Sequence, residues 1–533
     1  MQDGAVEGSE RLARRHAAWH DKGCCDASIA RPSRYPPSAV TVLASGQRPS
    51  QAGDGPSVRD VACNNRGPPL VAEATEMDDL CFQPITRLSD AIDRGEVDVQ
   101  ALTHLFLDRV KARDASINSY VLLLPDAARA EARAAAARAA RKQRLSAIDG
   151  IPIALKDNID VAGVHTSNGF GGQPCSVATE DAEVVRRLRA AGAVILGKLN
   201  MHEGALGALT DNPHFGRTNN PHRDGHSPGG SSGGSGAAVA AGLCCAAIGT
   251  DTGGSVRIPA SYCGVVGLKP SYGLVSTRGV VPLSRALDHV GPLTRTVADA
   301  ALLLDALAGF DARCTESRRG PSGFGIPSAR RLDGLRVGII DEFAAEPTEP
   351  AIGAAFEAAV EHFARLGSEI HQLRMPTYDM RAGRRACFVR VEVEAAVEHG
   401  ALYHREPQRF STPMRSYLDY GAKVSATRLV EVDHIMQTAA FELARCLEQV
   451  DVVISPTTPQ AAPRFDGLAP DSAGTFCGPA NFSGFPAISV PMGRDPLGLP
   501  LGLQMMCALH QDARLLQIAA AFEAALGLRL TPP

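Results

Sequence analysis

The chain lacks the features that would assign it to a membrane, to nucleic acid or to an oxidising compartment. No stretch approaches the roughly 18 consecutive apolar residues of a membrane span. The N-terminal region holds Arg11, Arg14, Arg15 and Lys22 but no apolar run of the kind a secretory signal needs. Neither sign of charge dominates: the formal net charge is -4, whereas a nucleic-acid footprint needs a basic excess. The 13 cysteines are scattered, with adjacent pairs at Cys24–Cys25 and Cys244–Cys245 and no C-x-x-C. An odd count without framework spacing fits free thiols in a reducing compartment, and Cys244, Cys245 and Cys263 read as small core residues. No H-E-x-x-H spacing or other metal-ligand cluster is legible. The expectations that follow are cytoplasmic residence, no membrane or nucleic-acid partner and no metal.

What is present is an ordinary globular composition, 44% hydrophobic and 21% charged over 533 residues, ample for a sizeable core. Residues 1–76 are rich in Gly, Pro, Ser and Arg, hold the single tryptophan, Trp19, and show no periodic apolar face. They read as a disordered extension, with the working protein beginning near Met77. Beyond it, residues 77–533 alternate helical and strand patterns. DVQALTHLFLDRVKARD has helical spacing with Asp98 as N-cap. DAARAEARAAAARAARKQR is helical by propensity. IPIALK is a short buried strand, and DAEVVRRLRAAGAVILGK and GAAVAAGLCCAAIGTD each read helix then strand. LRVGIID, VDVVISPT and PAISVP are further strands, and DARLLQIAAAFEAALG is a last helix. This alternation predicts an α/β class: a single large α/β/α domain around a mixed multi-stranded sheet.

The most informative stretch is PGGSSGGSGAAVAAGLCCAAIGTDTGGSVRIP, Pro228 to Pro259. It sets Ser231 and Ser232 in one glycine-rich turn and Ser255 in a second. A Walker-type phosphate loop needs Gly-Lys-Ser/Thr after its glycines, and no lysine follows here. A flexible linker does not fit between apolar elements. The remaining reading is backbone brought close to a bound group, where glycine alone tolerates the dihedrals. In TDTGGSVR, the N–H groups of Thr252, Gly253, Gly254 and Ser255 are candidates for an oxyanion hole. One such donor contributes about 2.7–4 kcal/mol to transition-state stabilisation.

A serine needs a proton acceptor to become a nucleophile. His202, His214, His222, His226 and His289 all lie in polar loop contexts and read as ordinary histidines. Lys156 follows the apolar run IPIAL. Burial disfavours the ammonium, and a shift of roughly three units corresponds to about 4 kcal/mol. The local alternative is a lysine salt-bridged to Asp157 or Asp160. A second alternative treats Gly230 to Gly234 as a nucleophile elbow, G-x-S-x-G, with Ser232 as nucleophile and a downstream acid and histidine.

GIPIALKDNID, PGGSSGGSGAAVAAG and GTDTGGSVRIPASYCGVVGLKPSYG, with the spacing from Lys156 to Ser231 to Ser255, closely resemble the amidase signature family. GKLNMHEGALG, SRALDHVGPLTRTVADA and NFSGFPAISVPMG extend the likeness from about Leu80 to the C-terminus. The resemblance implies a Ser–cis-Ser–Lys triad. Ser255 attacks an amide carbonyl, Ser231 relays the proton, and a neutral Lys156 receives it and returns it to the leaving ammonia or amine. Asp251 and Arg257 are implied as supporting charges, and Ser232 as a hydrogen-bonding neighbour. The family needs no cofactor, and its members are often dimers, so a homodimer is compatible with it.

Within that resemblance, the leading expectation is hydrolysis of a small-molecule linear carboxamide by a stand-alone enzyme. The alternative is the glutaminase (A) subunit of a tRNA-dependent amidotransferase complex. That branch is expected to use an Asp where Gly474 stands and an Arg near Ala401; without a cation, a glutamine carboxylate is weakly held. Phe476, Cys477 and Asn481 are the substrate-pocket candidates, by proximity to the distal motif.

Overall fold

The computed structural model describes residues 79–172, 177–328, 331–467 and 472–533; the expectation for residues 1–76 lies outside them. Thirteen strands are described: β1 (Tyr120–Leu123), β2 (Pro152–Lys156), β3 (Val194–Leu199), β4 (Asp211–Asn212), β5 (Gly216–Arg217), β6 (Ala246–Asp251), β7 (Val266–Lys269), β8 (His289–Thr294), β9 (Arg336–Ile340), β10 (Glu369–Leu373), β11 (Val452–Pro456), β12 (Ala487–Arg494) and β13 (Pro500–Met506). Eleven form one mixed sheet in the order β1-β3-β2-β6-β8-β7-β12-β13-β11-β9-β10, and β4 pairs with β5 separately.

The predicted elements are there. Asp98 caps the helix Val99–Ile117, its side chain accepting the Ala101 N–H at 2.8 Å. The alanine-rich helix runs Pro125–Ala140 and stops short of the predicted KQR. The last helix is Asp512–Leu526. One boundary differs usefully. The helix after the first glycine-rich turn starts at Gly233, so it includes residues read as turn. Bare glycines permit this: a Cβ at Gly233 would fall 2.3 Å from Thr210 Oγ1, and one at Gly234 2.4 Å from the Asn200 carbonyl oxygen. The helix start is wedged against the loop after β3 at a distance only glycine allows.

β2 and β6 are neighbouring parallel strands near the middle of one half of the sheet, in register as Ile153↔Ala246 and Leu155↔Ile248. Every residue of both is buried, which is why they read as continuous apolar runs rather than alternations. Lys156 ends β2 and Thr250–Asp251 ends β6, so both deliver polar side chains at the carboxyl end of the sheet, where open α/β folds bind ligands. Antiparallel β8 closes against β6, setting Asp251 opposite His289.

The segment between β10 and β11 forms three helices, Met380–Arg405, Thr412–Gly421 and Ala426–Gln449. Their apolar faces, including Val389, Val391, Met414 and Val432, share a core with Met201, Leu206, Leu283 and Leu287 from the loops beside β3 and β8. These helices therefore cover the same sheet end. Among the described residues no helix is long and apolar enough to cross a membrane.

Candidate active site

Lys156 is wholly buried, and its surroundings are hydroxyls rather than carboxylates. Its Nζ donates to Ser231 Oγ at 2.7 Å and to Thr250 Oγ1 at 2.8 Å. Asn158 Nδ2 also donates to Thr250 Oγ1, at 3.1 Å, fixing that hydroxyl from the far side. Burial lowers the Lys156 ammonium to about 7, with the charges of Asp288 and Asp251 working in the opposite direction. The salt-bridge alternative fails for a specific reason. Asp157 is taken by a second buried lysine, Lys198, whose Nζ lies 2.6 Å from its Oδ1.

Ser231 follows a cis peptide bond from Gly230. Its side chain is wholly buried, and its carbonyl accepts the His202 N–H at 3.0 Å. The next residue, Ser232, ties the two glycine-rich turns together through its N–H, which donates to the Ser255 carbonyl at 3.2 Å. Its Oγ donates to the Thr250 carbonyl at 3.1 Å and accepts the Thr250 N–H at 3.3 Å. Ser232 thus braces the end of β6, and its hydroxyl is committed to backbone. Ser255 is 9% exposed and lines a cavity of about 90 Å³ together with Gly230, Thr252 and Gly253. Lys156 and Ser231 do not line it.

The second turn is held by a buried ion pair. Arg257 Nε and Nη2 donate to Asp251 Oδ2 and Oδ1 at 3.0 and 2.8 Å. Arg257 also donates to Gln504 Oε1 at 2.7 Å, to the Cys477 carbonyl at 3.0 Å and to Asn481 Oδ1 at 2.6 Å. Burial opposes the Asp251 charge, but Arg257 holds its carboxyl well below the usual carboxylate range. Asp251 in turn accepts the Gly254 N–H on Oδ1 at 2.9 Å and the Val256 N–H on Oδ2 at 3.1 Å. The expected four-donor oxyanion hole is therefore corrected: the Gly254 N–H points inward to Asp251. Among the described residues, the N–H groups of Thr252, Gly253 and Ser255 carry no hydrogen bond. Thr252 Oγ1 donates to Asp288 Oδ1 at 2.6 Å, which anchors the start of the turn. Burial raises Asp288 to about 6.

The three pocket candidates from the distal motif are also corrected. Phe476 is wholly buried in a separate apolar cluster, its ring 6.0 Å from that of Phe343. Cys477 Sγ faces the Thr457 carbonyl at 3.5 Å, and Asn481 belongs to the Asp251–Arg257 network, donating to Asp251 Oδ1 at 2.9 Å. The reason is helical phase. Cys477 and Asn481 occupy one face of the short helix Gly478–Phe482, while Gly478 and Phe482 occupy the face that lines the cavity. Gly474 and Thr475 line it too.

Sequence reasoning missed the opposite wall. The helix Met380–Arg405 contributes Arg384, Cys387, Phe388 and Val391 to the cavity, spacing that marks a single helical face. The residue expected to stand at a cation position, Ala401, is exposed on the same helix, whereas Arg384 lines the cavity. None of the five histidines considered above lines it. His289 is not in a loop at all but buried in β8, with Nδ1 bonded to the Leu287 carbonyl at 2.7 Å.

This arrangement has counterparts among known proteins. A family model described as Amidase matches residues 101–516, and the chain belongs to that family. It is 36% identical over 480 residues to the A subunit of the glutamyl-tRNA(Gln) amidotransferase of Synechococcus sp. (strain RCC307), covering 84% of this chain and 99% of the relative. Among solved structures it is similar, at 29% identity and a TM-score of 0.75, to the native peptide amidase from Stenotrophomonas maltophilia, covering 85% of this chain and 98% of that one. A protein from a vestigial complex, described as revealing the origins of an s-triazine catabolic enzyme, aligns with a TM-score of 0.78 at 32% identity, covering 84% of this chain and all of that one. The protein is an amide-hydrolysing enzyme of the amidase signature fold.

Proposed function

We propose that the chain cleaves a linear carboxamide to a carboxylate and ammonia or an amine through an acyl-serine intermediate on Ser255. The observation that carries this reading is the 2.7 Å contact between Lys156 Nζ and Ser231 Oγ, with the lysine buried and held near 7. A neutral Nζ has a lone pair for the Ser231 proton, and Ser231 Oγ can then take the proton of Ser255 Oγ. The freed Ser255 oxygen adds to the amide carbonyl. The oxyanion faces the N–H groups of Thr252, Gly253 and Ser255, donors already oriented by the Asp251–Arg257 pair. The proton on Lys156 returns through Ser231 to the leaving nitrogen, the C–N bond breaks, and water hydrolyses the ester by the same relay.

A second reading is favoured by the relatives: the glutaminase component of a tRNA-dependent amidotransferase, working within a multi-subunit complex. The 36% identical Synechococcus protein bears that name over 99% of its length, and the relatives support this reading more than they support a stand-alone amidase. Arg384 in the cavity supports it as well, since it supplies the cation for a substrate carboxylate that Ala401 does not. Gly474, without a side chain to hold an ammonium, speaks for the stand-alone enzyme. Both readings use the same chemistry at Ser255. Ammonia release by the purified chain from a panel of simple amides, glutamine included, separates them. Turnover of simple amides without partners supports the first reading. Release from glutamine alone, rising when partner subunits are added, supports the second.

A further inference from the structure

The far half of the sheet holds a crevice that the chemistry at Ser255 does not use. β9 pairs in parallel with β10 on one side and with β11 on the other. The chain leaves β9 through the helix Pro350–Arg365 and returns as β10. It leaves β10 through the helices ending in Ala426–Gln449 and returns as β11, on the opposite flank of β9. The two crossovers cover opposite faces. Ile339 and Ile454 share a core with Ile352 and Phe363 of the first helix, whereas Ile340 and Val453 share one with Ala439 and Leu443 of the second. Strand order therefore reverses between β9 and β11. Open α/β sheets bind ligands outside the carboxyl ends of the strands at such a point.

A cavity of about 450 Å³ lies there, within the range of about 300–1,000 Å³ usual for small-molecule sites. Ile339 of β9 and Ile454 and Ser455 of β11 line it beneath Gly353, Phe356 and Val360 of the first helix. It shares no residue with the cavity beside Ser255. Phe356 and Val360 are only half-buried, so this helix carries apolar surface beyond what its own core covers. Gly353 leaves the space open. A Cβ there would meet nothing nearer than Thr348 Oγ1 at 3.8 Å, in contrast to the glycines at the start of the helix after Ser231.

The charged groups select the occupant. Glu357 and Glu361, one helical turn apart, line the cavity, and no lysine, arginine or histidine does. Glu361 has Arg365 at 3.7 Å, with both side chains largely exposed; among the described residues Glu357 has no ion pair. Ser455 Oγ is committed to protein, donating to the Pro456 carbonyl at 2.9 Å and accepting from Gln504 Nε2 at 3.2 Å. Polar recognition thus falls to the two carboxylates, which repel an anion and attract a cation.

We propose that this cavity is a second ligand site, and that it takes an organic cation: a primary ammonium on an aryl-alkyl body. Ile339, Ile454, Phe356 and Val360 take the apolar body out of water, and Glu357 and Glu361 face the ammonium. The site stands apart from the chemistry at Ser255 and holds whether or not that serine is acylated.

Calorimetric titration of the full chain with naphthylmethylammonium, and with naphthylmethanol as its uncharged counterpart, tests it. The ammonium is expected to bind saturably, and the alcohol about 2- to 10-fold more weakly, the contribution of solvent-facing carboxylates to a bound cation. Gly353→Leu adds a good helix former whose side chain enters the open space. It is expected to weaken binding by at least about tenfold, because the ring is shut out of the apolar surface. Glu357→Lys, a change at an exposed position, is expected to abolish the preference for the ammonium over the alcohol. No saturable binding to the unaltered chain, equal affinity for the two probes, or binding that survives Gly353→Leu in a protein with unaltered circular dichroism overturns the inference. If Gly353→Leu does not fold, Glu357→Lys decides, and an undiminished preference for the ammonium overturns it.

Discussion

Lys156 Nζ stands 2.7 Å from Ser231 Oγ, while the neighbouring buried lysine, Lys198, stands 2.6 Å from a carboxylate oxygen of Asp157. The two lysines share burial and differ in partner. At Lys156 the hydroxyl partners leave desolvation to dominate, which lowers its ammonium to about 7. The proposed chemistry needs that environment at Lys156, because a lysine must be neutral to accept a proton.

The pH profile of activity follows from this. Lys156 must lose its proton to act as a base, so kcat/KM rises with pH through the Lys156 value of about 7 and levels off above it. Lys156→Ala removes that limb and lowers amide turnover by about 10²- to 10⁴-fold. A pH–rate series on both proteins checks it.

Stability carries the same sign. A lysine whose folded value is lower than its unfolded value binds fewer protons in the fold, so stability increases as pH rises from about 7 toward the ordinary lysine value of 10.5. Lys269 is also buried and lowered to about 7, and adds an increment of the same direction. Lys156→Met is therefore expected to reduce the rise without abolishing it between about pH 7 and 9, below the range where buried thiols such as Cys244 and Cys263, raised above 9.0, act with the opposite sign. Urea unfolding at several pH values in this window reads the slope.

The two adjacent serines should separate cleanly. Ser231→Ala breaks the relay and lowers kcat by about 10²- to 10⁴-fold, with a much smaller effect on KM. Ser232→Ala loses hydrogen bonds to the Thr250 backbone. It is expected to lose about 1–3 kcal/mol of stability while keeping far more of its turnover than Ser231→Ala. Steady-state kinetics paired with denaturation distinguishes the two outcomes.

The donor turn depends on Arg257. Arg257→Met leaves the Asp251 carboxylate buried without its cation, a change that destabilises by about 3–5 kcal/mol. Gly254→Ala tests the same turn locally. Gly254 has φ 120°, and a Cβ there would lie 2.8 Å from Cys477 Cβ and 2.9 Å from Ile258 Cδ1. The strain should displace Gly253 and Ser255 and reduce kcat by at least about tenfold. Chemical unfolding of the first variant and kinetics of the second are the measurements.

The sheet and the contact between Lys156 and Ser231 were legible because their signals are local. IPIALK, VDVVISPT and the second half of GAAVAAGLCCAAIGTD are short apolar runs that form buried strands, while the first half of the last segment forms the helix that precedes its strand. Lys156, Ser231 and Ser255 stand in glycine-rich or apolar stretches whose composition is hard to explain otherwise. The substrate wall was not legible for the opposite reason. Arg384, Phe388 and Val391 sit in a helix like any amphipathic helix, and only its packing over the carboxyl end of the sheet turns that face toward Ser255. Phe476, Cys477 and Asn481 were placed by nearness in sequence, and a helix of five residues reversed the choice by turning its other face to the cavity. The Gly254 N–H was counted as an open donor because a sequence does not tell which N–H of a turn its own aspartate will claim.

The most direct measurement maps the acyl group. The protein is mixed with an amide substrate, quenched during turnover, digested and analysed by mass spectrometry. The expected result is an acyl mass increment on the peptide carrying Ser255, absent in Ser255→Ala and accumulating in wild type at a rate that rises with pH through about 7. An increment on Ser232 instead, or amide turnover that persists in Ser255→Ala, would contradict the assignment.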